Sequence, residues 1–193
     1  MLNSKFEKDQ YLIRKKILSF MGAKFHIFDS DGQVILYSKM KAFKLREDIR
    51  LYSGEDMMDE LLTIHARNII DFSAIYDVFD TKSGQKVGAL KRKGLKSIMK
   101  DEWIIINQND MEIGFIKEDS LGLAILRRFL TNLVPQKYNV EINGIKICEF
   151  KQNFNPFVAK LNLDFTLDKE NVLDKRLGIA AGILLCAVDS KQN

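Results

Sequence analysis

Lys91-Arg92-Lys93-Gly94-Leu95-Lys96 is the densest cationic run in the chain, and Lys100 follows it. Lysine and arginine donate strongly to phosphate oxygens, and each basic side chain near an anionic lipid surface contributes about 1 kcal/mol. Lys91, Arg92, Lys93 and Lys96 are therefore the candidate lipid-binding residues. Lys39, Lys41, Lys44, Arg46 and Arg50 make a second, looser set. The competing reading of such runs is a solvated hairpin end. Nucleic acid fits less well. No aromatics interleave the basic run, no recognition helix is evident, and the formal charge is only +4.

The acidic candidates are Asp164, Asp168, Glu170 and Asp174. Tested as a calcium loop from Asp164, the position that needs glycine holds Lys169, and the bidentate position holds Lys175. The pattern fails, and helix capping accounts for these acids instead. His26 and His65 are the only histidines, with no nucleophile or ligand pattern beside either. No P-loop, dinucleotide glycine fingerprint, nucleophile elbow or zinc spacing occurs. The expectation is no catalytic residue, no metal and no cofactor.

The elements that must carry these residues are set by one run. Leu177 to Val188 contains no polar side chain. A helix apolar all round is buried in a core or set in a membrane. Twelve residues of helix reach only ~18 Å, short of the ~20 residues that cross a bilayer. Burial follows, with Gly178, Gly182 and Cys186 forming a thin strip for close approach. The predicted helix spans about 169–189, capped by Asp168, with Leu167 and Val172 as a hydrophobic staple.

Before it lies a clear strand, Phe157 to Asp168, with Phe157, Ala159, Leu161, Leu163, Phe165 and Leu167 on one face. Further strands are expected at Tyr11–Leu18, Lys24–Phe28, Gln33–Lys39, Phe43–Tyr52, Leu61–Arg67 and Ile69–Phe79. Hairpin signals recur at Asp29–Leu36, Asp80–Gly88, Asn107–Gly114 and Val140–Cys148, indicating an antiparallel meander. Leu123, Leu126, Leu130 and Leu133 predict an outer helix over about 120–133, stopped by Pro135. Ten to twelve one-faced strands and one wholly apolar helix fit a closed antiparallel barrel wrapped around that helix.

At 46% hydrophobic and 29% charged the chain reads as soluble and globular. Its 193 residues, two prolines and lack of a Gly/Ser linker predict one domain over 1–193. Cys148 and Cys186 make no disulfide framework, and the N-terminus has no apolar signal core, so a reducing cytoplasm is expected.

The segment from Tyr76 to Glu118 runs Tyr-Asp-Val-Phe-Asp, Lys-Val-Gly-Ala-Leu-Lys-Arg-Lys, Asp-Glu-Trp-Ile-Ile-Ile and Glu-Ile-Gly-Phe-Ile. With the strand-to-apolar-helix ending, this resembles the LURP-one-related family, which shares its fold with phospholipid scramblases and the tubby C-terminal domain. The resemblance implies a mainly β, α+β fold: a twelve-stranded barrel threaded by a hydrophobic helix. Tubby domains bind phosphoinositides, and scramblases are membrane-attached and calcium-responsive. No binding residue of either is carried onto this chain. The expected function is a non-enzymatic barrel that binds anionic phospholipid, peripheral at a membrane. A structural or protein-interaction module is the alternative, and an enzyme with a dispersed site the third reading.

Overall fold

Period-two alternation makes each strand two-faced, and the computed structural model shows where the faces point. It describes residues 3–17, 22–40, 48–70, 73–93, 102–119, 136–153 and 158–189. After a 3-10 turn at Ser4–Phe6 come β1 (Gln10–Ile17), β2 (Ala23–Phe28), β3 (Val34–Met40), β4 (Ile49–Tyr52), β5 (Glu60–Ile70) and β6 (Ser73–Asp80). Then follow β7 (Lys86–Arg92), β8 (Glu102–Asn107), β9 (Glu112–Glu118), β10 (Lys137–Ile142), β11 (Ile145–Asn153), β12 (Val158–Asp164) and α1 (Lys175–Asp189). Each strand pairs antiparallel with the next, and β1 closes the barrel on β12, in register from Gln10↔Asp164 to Lys16↔Val158. The predicted strand Ile69–Phe79 is split, because Ile69 and Ile70 complete β5 opposite Ala74 and Ser73. The predicted outer helix at 120–133 lies outside the described residues.

Closure points one face of every strand at the same interior. Ile13, Phe25, Ile27, Leu36, Leu51, Leu62, Val78, Leu90, Tyr138, Val140, Phe150, Leu161 and Leu163 are all buried in one cluster with α1. The helix runs beside β12, β7 and β1. Its small strip does what its spacing predicts. A Cβ on Gly178 would stand 2.6 Å from the Phe165 ring, and one on Gly182 2.7 Å from Ile13 Cδ1. Gly114 in β9 allows a different approach, since a Cβ there would meet the Glu141 carbonyl oxygen of β10 at 2.2 Å.

The helix starts at Lys175 rather than at 169, and Asp174 rather than Asp168 caps it. The Asp174 carboxylate accepts from the Arg176 N–H at 2.9 Å, and its carbonyl from the Leu177 and Gly178 N–H groups. Asp168 instead holds the preceding loop by accepting from Val172 and Leu173 N–H at 2.8 and 3.0 Å. Asn171 has φ +51°, a left-handed conformation that no right-handed helix passes through, so the chain turns there before entering the barrel. Leu167 and Val172 are 57% and 47% exposed, so the predicted staple contributes no buried packing.

Both ends of α1 are tied to the wall. At its N-terminus Lys175 donates to Asp9 at 2.8 Å and holds that carboxyl below its ordinary range, while Arg176 pairs with Asp80 at 2.9 Å. At the other end Lys15 points inward from β1 and is 2% exposed. Its ammonium donates to the Cys186 carbonyl at 2.6 Å, where the helix dipole favours a cation. Replacing it in Lys15→Met leaves that carbonyl without its charged donor. A loss of about 1.5–3 kcal/mol is expected, read as a fall in melting temperature of several degrees.

Candidate functional site

The strand register decides what surrounds each basic residue. Lys91 and Lys93, predicted lipid ligands, have acids from neighbouring strands beside them. Lys91 Nζ stands 3.4 Å from Glu112 of β9, and Lys93 Nζ 2.7 Å from Glu102 of β8. Lys93 also lies over the Phe115 ring at 5.0 Å. Arg92 is half-buried at the barrel's end, in register with Trp103. Lys96, Lys100, Lys41, Lys44 and Arg46 lie outside the described residues. Arg50 pairs with Glu60 at 3.1 Å. On the same side of the barrel, Lys86 is held by Asp77 and Asp110, and Lys82 by Asp59.

A different set of cations stands together on the opposite wall. On the outward faces of β11, β12, β1, β2 and β3 lie Lys151, Lys160, Arg14, Lys16, Lys24 and Lys39. The closing register sets Arg14 directly across from Lys160, the β1–β2 register sets Lys16 across from Lys24, and the β2–β3 register sets Lys24 across from Lys39. Lys151 faces Lys137 of β10 in the same manner. Arg14, Lys16, Lys39 and Lys151 are exposed; Lys24 and Lys160 are half-buried. Among the described residues no carboxylate pairs with any of these six. Five strands at ~4.8 Å spacing make the patch ~19 Å wide. Like charges directly opposite each other destabilise a sheet, and three such pairs lie within these six residues, with Lys151 and Lys137 making a fourth at the edge.

Beside the patch the outer surface dips into a cleft of about 590 Å³ over β1, walled by β12 and the β2–β3 turn. Arg14 and Lys160 stand at one end, with Leu12 and Phe28 in the middle. Gln10, Asp164 and Asp29 stand toward the other. Arg14 lies over the Phe28 ring at 5.7 Å.

The remaining sequence candidates have local roles. His26 packs on Tyr37 at 5.2 Å between ring centroids and stands 3.4 Å from Glu55. His65 pairs with Asp48 on the exposed surface. Asp164 accepts from the Thr166 N–H and hydroxyl, so three of the four acids of the terminal stretch hold turns or a cap. Among the described residues no group of three or more His, Cys, Asp or Glu side chains could hold a metal ion. Cys148 faces the interior, where burial and then nearby Asp168 push its thiol up to about 12. No helix among them is long and apolar enough to cross a membrane.

Sequence reading reached only Lys39 of the six-residue patch, as part of the looser basic set, because the members are scattered from position 14 to position 160. Their outward parity on each strand was visible; their adjacency required the barrel's closure. Comparisons with curated proteins and with solved structures give no match. The family model described as LURP-one-related matches residues 10–192. That span takes in all twelve barrel strands and the threaded helix, and the chain belongs to the LURP-one-related family.

Proposed function

We propose that this barrel is a non-enzymatic binding domain that docks on anionic phospholipid through the outer faces of β11, β12, β1, β2 and β3. The observation that carries this reading is the set of like-charge cross-strand pairs, Arg14 with Lys160, Lys16 with Lys24 and Lys24 with Lys39, none with an acidic partner among the described residues. Such a surface is unfavourable alone and favourable against a layer of phosphates. Six basic side chains at about 1 kcal/mol each supply roughly 6 kcal/mol of attraction to an anionic leaflet. The interior, filled by α1 and the inward side chains, leaves binding to the outside wall. The patch is favoured over the Lys91–Lys96 run because Lys91 and Lys93 already have Glu112 and Glu102 as counter-ions.

Sedimentation with phosphatidylglycerol or phosphoinositide vesicles tests it. The parent should bind these and leave neutral phosphatidylcholine vesicles unbound, with affinity falling as salt rises. The triple variant Lys16→Gln, Lys24→Gln, Lys39→Gln removes about 3 kcal/mol and should weaken binding roughly a hundredfold. Its melting temperature should not fall, because the like-charge pairs go with the charges. Substituting Lys91, Arg92, Lys93 and Lys96 by glutamine should weaken binding far less. A parent that ignores anionic vesicles, or a larger loss from the second variant, contradicts the reading.

A further inference from the structure

The cleft beside the basic patch is charged in opposite senses at its two ends. Arg14 and Lys160 sit side by side across the β1–β12 seam at one end. Asp164, two outward-facing residue pairs further along the same β1–β12 ladder, lies across from Gln10 at the other, and Asp29 comes in from the β2–β3 turn. Neither acid is used up. The Asp164 Oδ1 atom accepts from Thr166, whereas Oδ2 takes only a 3.4 Å bond from the Gln10 amide. Asp29 uses Oδ1 for the Asp31 and Gln33 N–H groups and has no partner at Oδ2 among the described residues. No cation pairs with either carboxylate among them. Leu12 and Phe28 floor the middle, a surface suited to short methylene groups.

The geometry points to a headgroup in which a phosphate is joined by a short carbon link to a primary ammonium. The phosphate sits against Arg14 and Lys160, the carbons over Leu12 and Phe28, and the ammonium donates to Asp164 and Asp29. This rests on the membrane-docking reading, and it adds what that reading lacks: choice among lipids of equal charge. The patch sets how strongly the protein is drawn to the surface, and the cleft sets which lipid it holds. Phosphoethanolamine lipid is the occupant of this chemistry. The choline headgroup carries its charge on a quaternary nitrogen that has no hydrogen to donate to a carboxylate.

The test holds charge constant. Vesicles contain a fixed fraction of phosphatidylglycerol, the remainder being either phosphatidylethanolamine or phosphatidylcholine. The parent should bind the ethanolamine vesicles about three- to fivefold more tightly, the scale of one exposed charge pair with hydrogen bonds. Asp164→Asn should abolish the preference while keeping phosphatidylglycerol-dependent binding, because the asparagine oxygen still accepts from Thr166. Asp29→Asn, which retains its turn acceptor likewise, gives the same answer if the first variant is poorly folded. Equal binding to the two vesicle types, with the phosphatidylglycerol dependence intact, overturns the cleft assignment and leaves the patch standing. Failure to bind any vesicle overturns the docking reading and the lipid headgroup with it. A titration with soluble phosphoethanolamine then shows whether the cleft takes the free compound, an outcome that also contradicts a lipid occupant.

Discussion

Chains ended after Asp174 should give no barrel that unfolds cooperatively. Twelve strands turn their apolar faces inward, and what they meet there is α1. Leu177, Ile179, Ile183, Leu184 and Leu185 are all at most 2% exposed. Burying a Leu or Ile side chain is worth roughly 1.5–3 kcal/mol, so these five contribute roughly 8–15 kcal/mol. That is comparable to the ~5–15 kcal/mol of stability that a whole domain has. Without α1 the wall encloses a void lined by Ile13, Phe25, Leu90 and Leu163 and has nothing to close on. The truncated chain should be aggregated or molten, with weak near-ultraviolet dichroism and no sharp thermal transition. A truncated protein that melts cooperatively near the parent's temperature would show that the strands hold themselves.

Gly182→Leu should destabilise the barrel strongly. A Cβ at this position meets Ile13 Cδ1 at 2.7 Å and the two Leu163 methyls at 3.0 and 3.2 Å. Those are side-chain ends, which can shift by tenths of an ångström. Alanine in place of glycine also gains up to ~1 kcal/mol of helix propensity. Gly182→Ala should therefore stay close to the parent. Leucine adds three more carbons where both neighbours are fully buried, and its helix-propensity gain, no larger than alanine's, is too small to offset that. Overpacking costs ~1–3 kcal/mol, and more where the backbone on both sides is fixed, as it is here between helix and wall. A melting temperature lower by about 5–10 °C is expected. Were the run set in lipid, the same change would enlarge apolar surface and raise membrane recovery without destabilising the protein.

The contrast between Leu177–Val188 and the basic patch shows what a one-dimensional reading reaches. The helix was legible because a run without polar side chains has only two physical homes, and its length excluded one of them. Leu161 and Leu163 were legible as an inward face from period two alone, and with Phe165 they lie buried against α1. The strand predicted to run to Asp168 ends at Asp164, however, and Leu167, expected on that face, is exposed. The helix start was misplaced because Asp168 has the right residue type for a cap. Nothing local announced that Asn171 would adopt a left-handed backbone and delay the helix to Lys175. Electrostatic context was the least legible quantity. Lys91 and Lys93 were conspicuous as neighbours in sequence, yet their counter-ions arrive from β9 and β8. Arg14 and Lys160, nearly the full chain apart, become neighbours only when β1 pairs with β12. A charge cluster is a property of the outer surface of a closed sheet, and the closing pair of strands has the largest sequence separation in the fold.

Lysine acetylation with and without phosphatidylglycerol vesicles, read residue by residue by mass spectrometry, tests the docking face most directly. The same reaction with phosphatidylcholine vesicles supplies the reference. Lys16, Lys24, Lys39, Lys151 and Lys160 should be protected together by the anionic vesicles alone, while Lys82, Lys91 and Lys93 react as they do in free solution. Protection that falls on Lys91 and Lys93 and spares Lys16, Lys24 and Lys39, or no protection anywhere, would contradict docking through β11, β12, β1, β2 and β3.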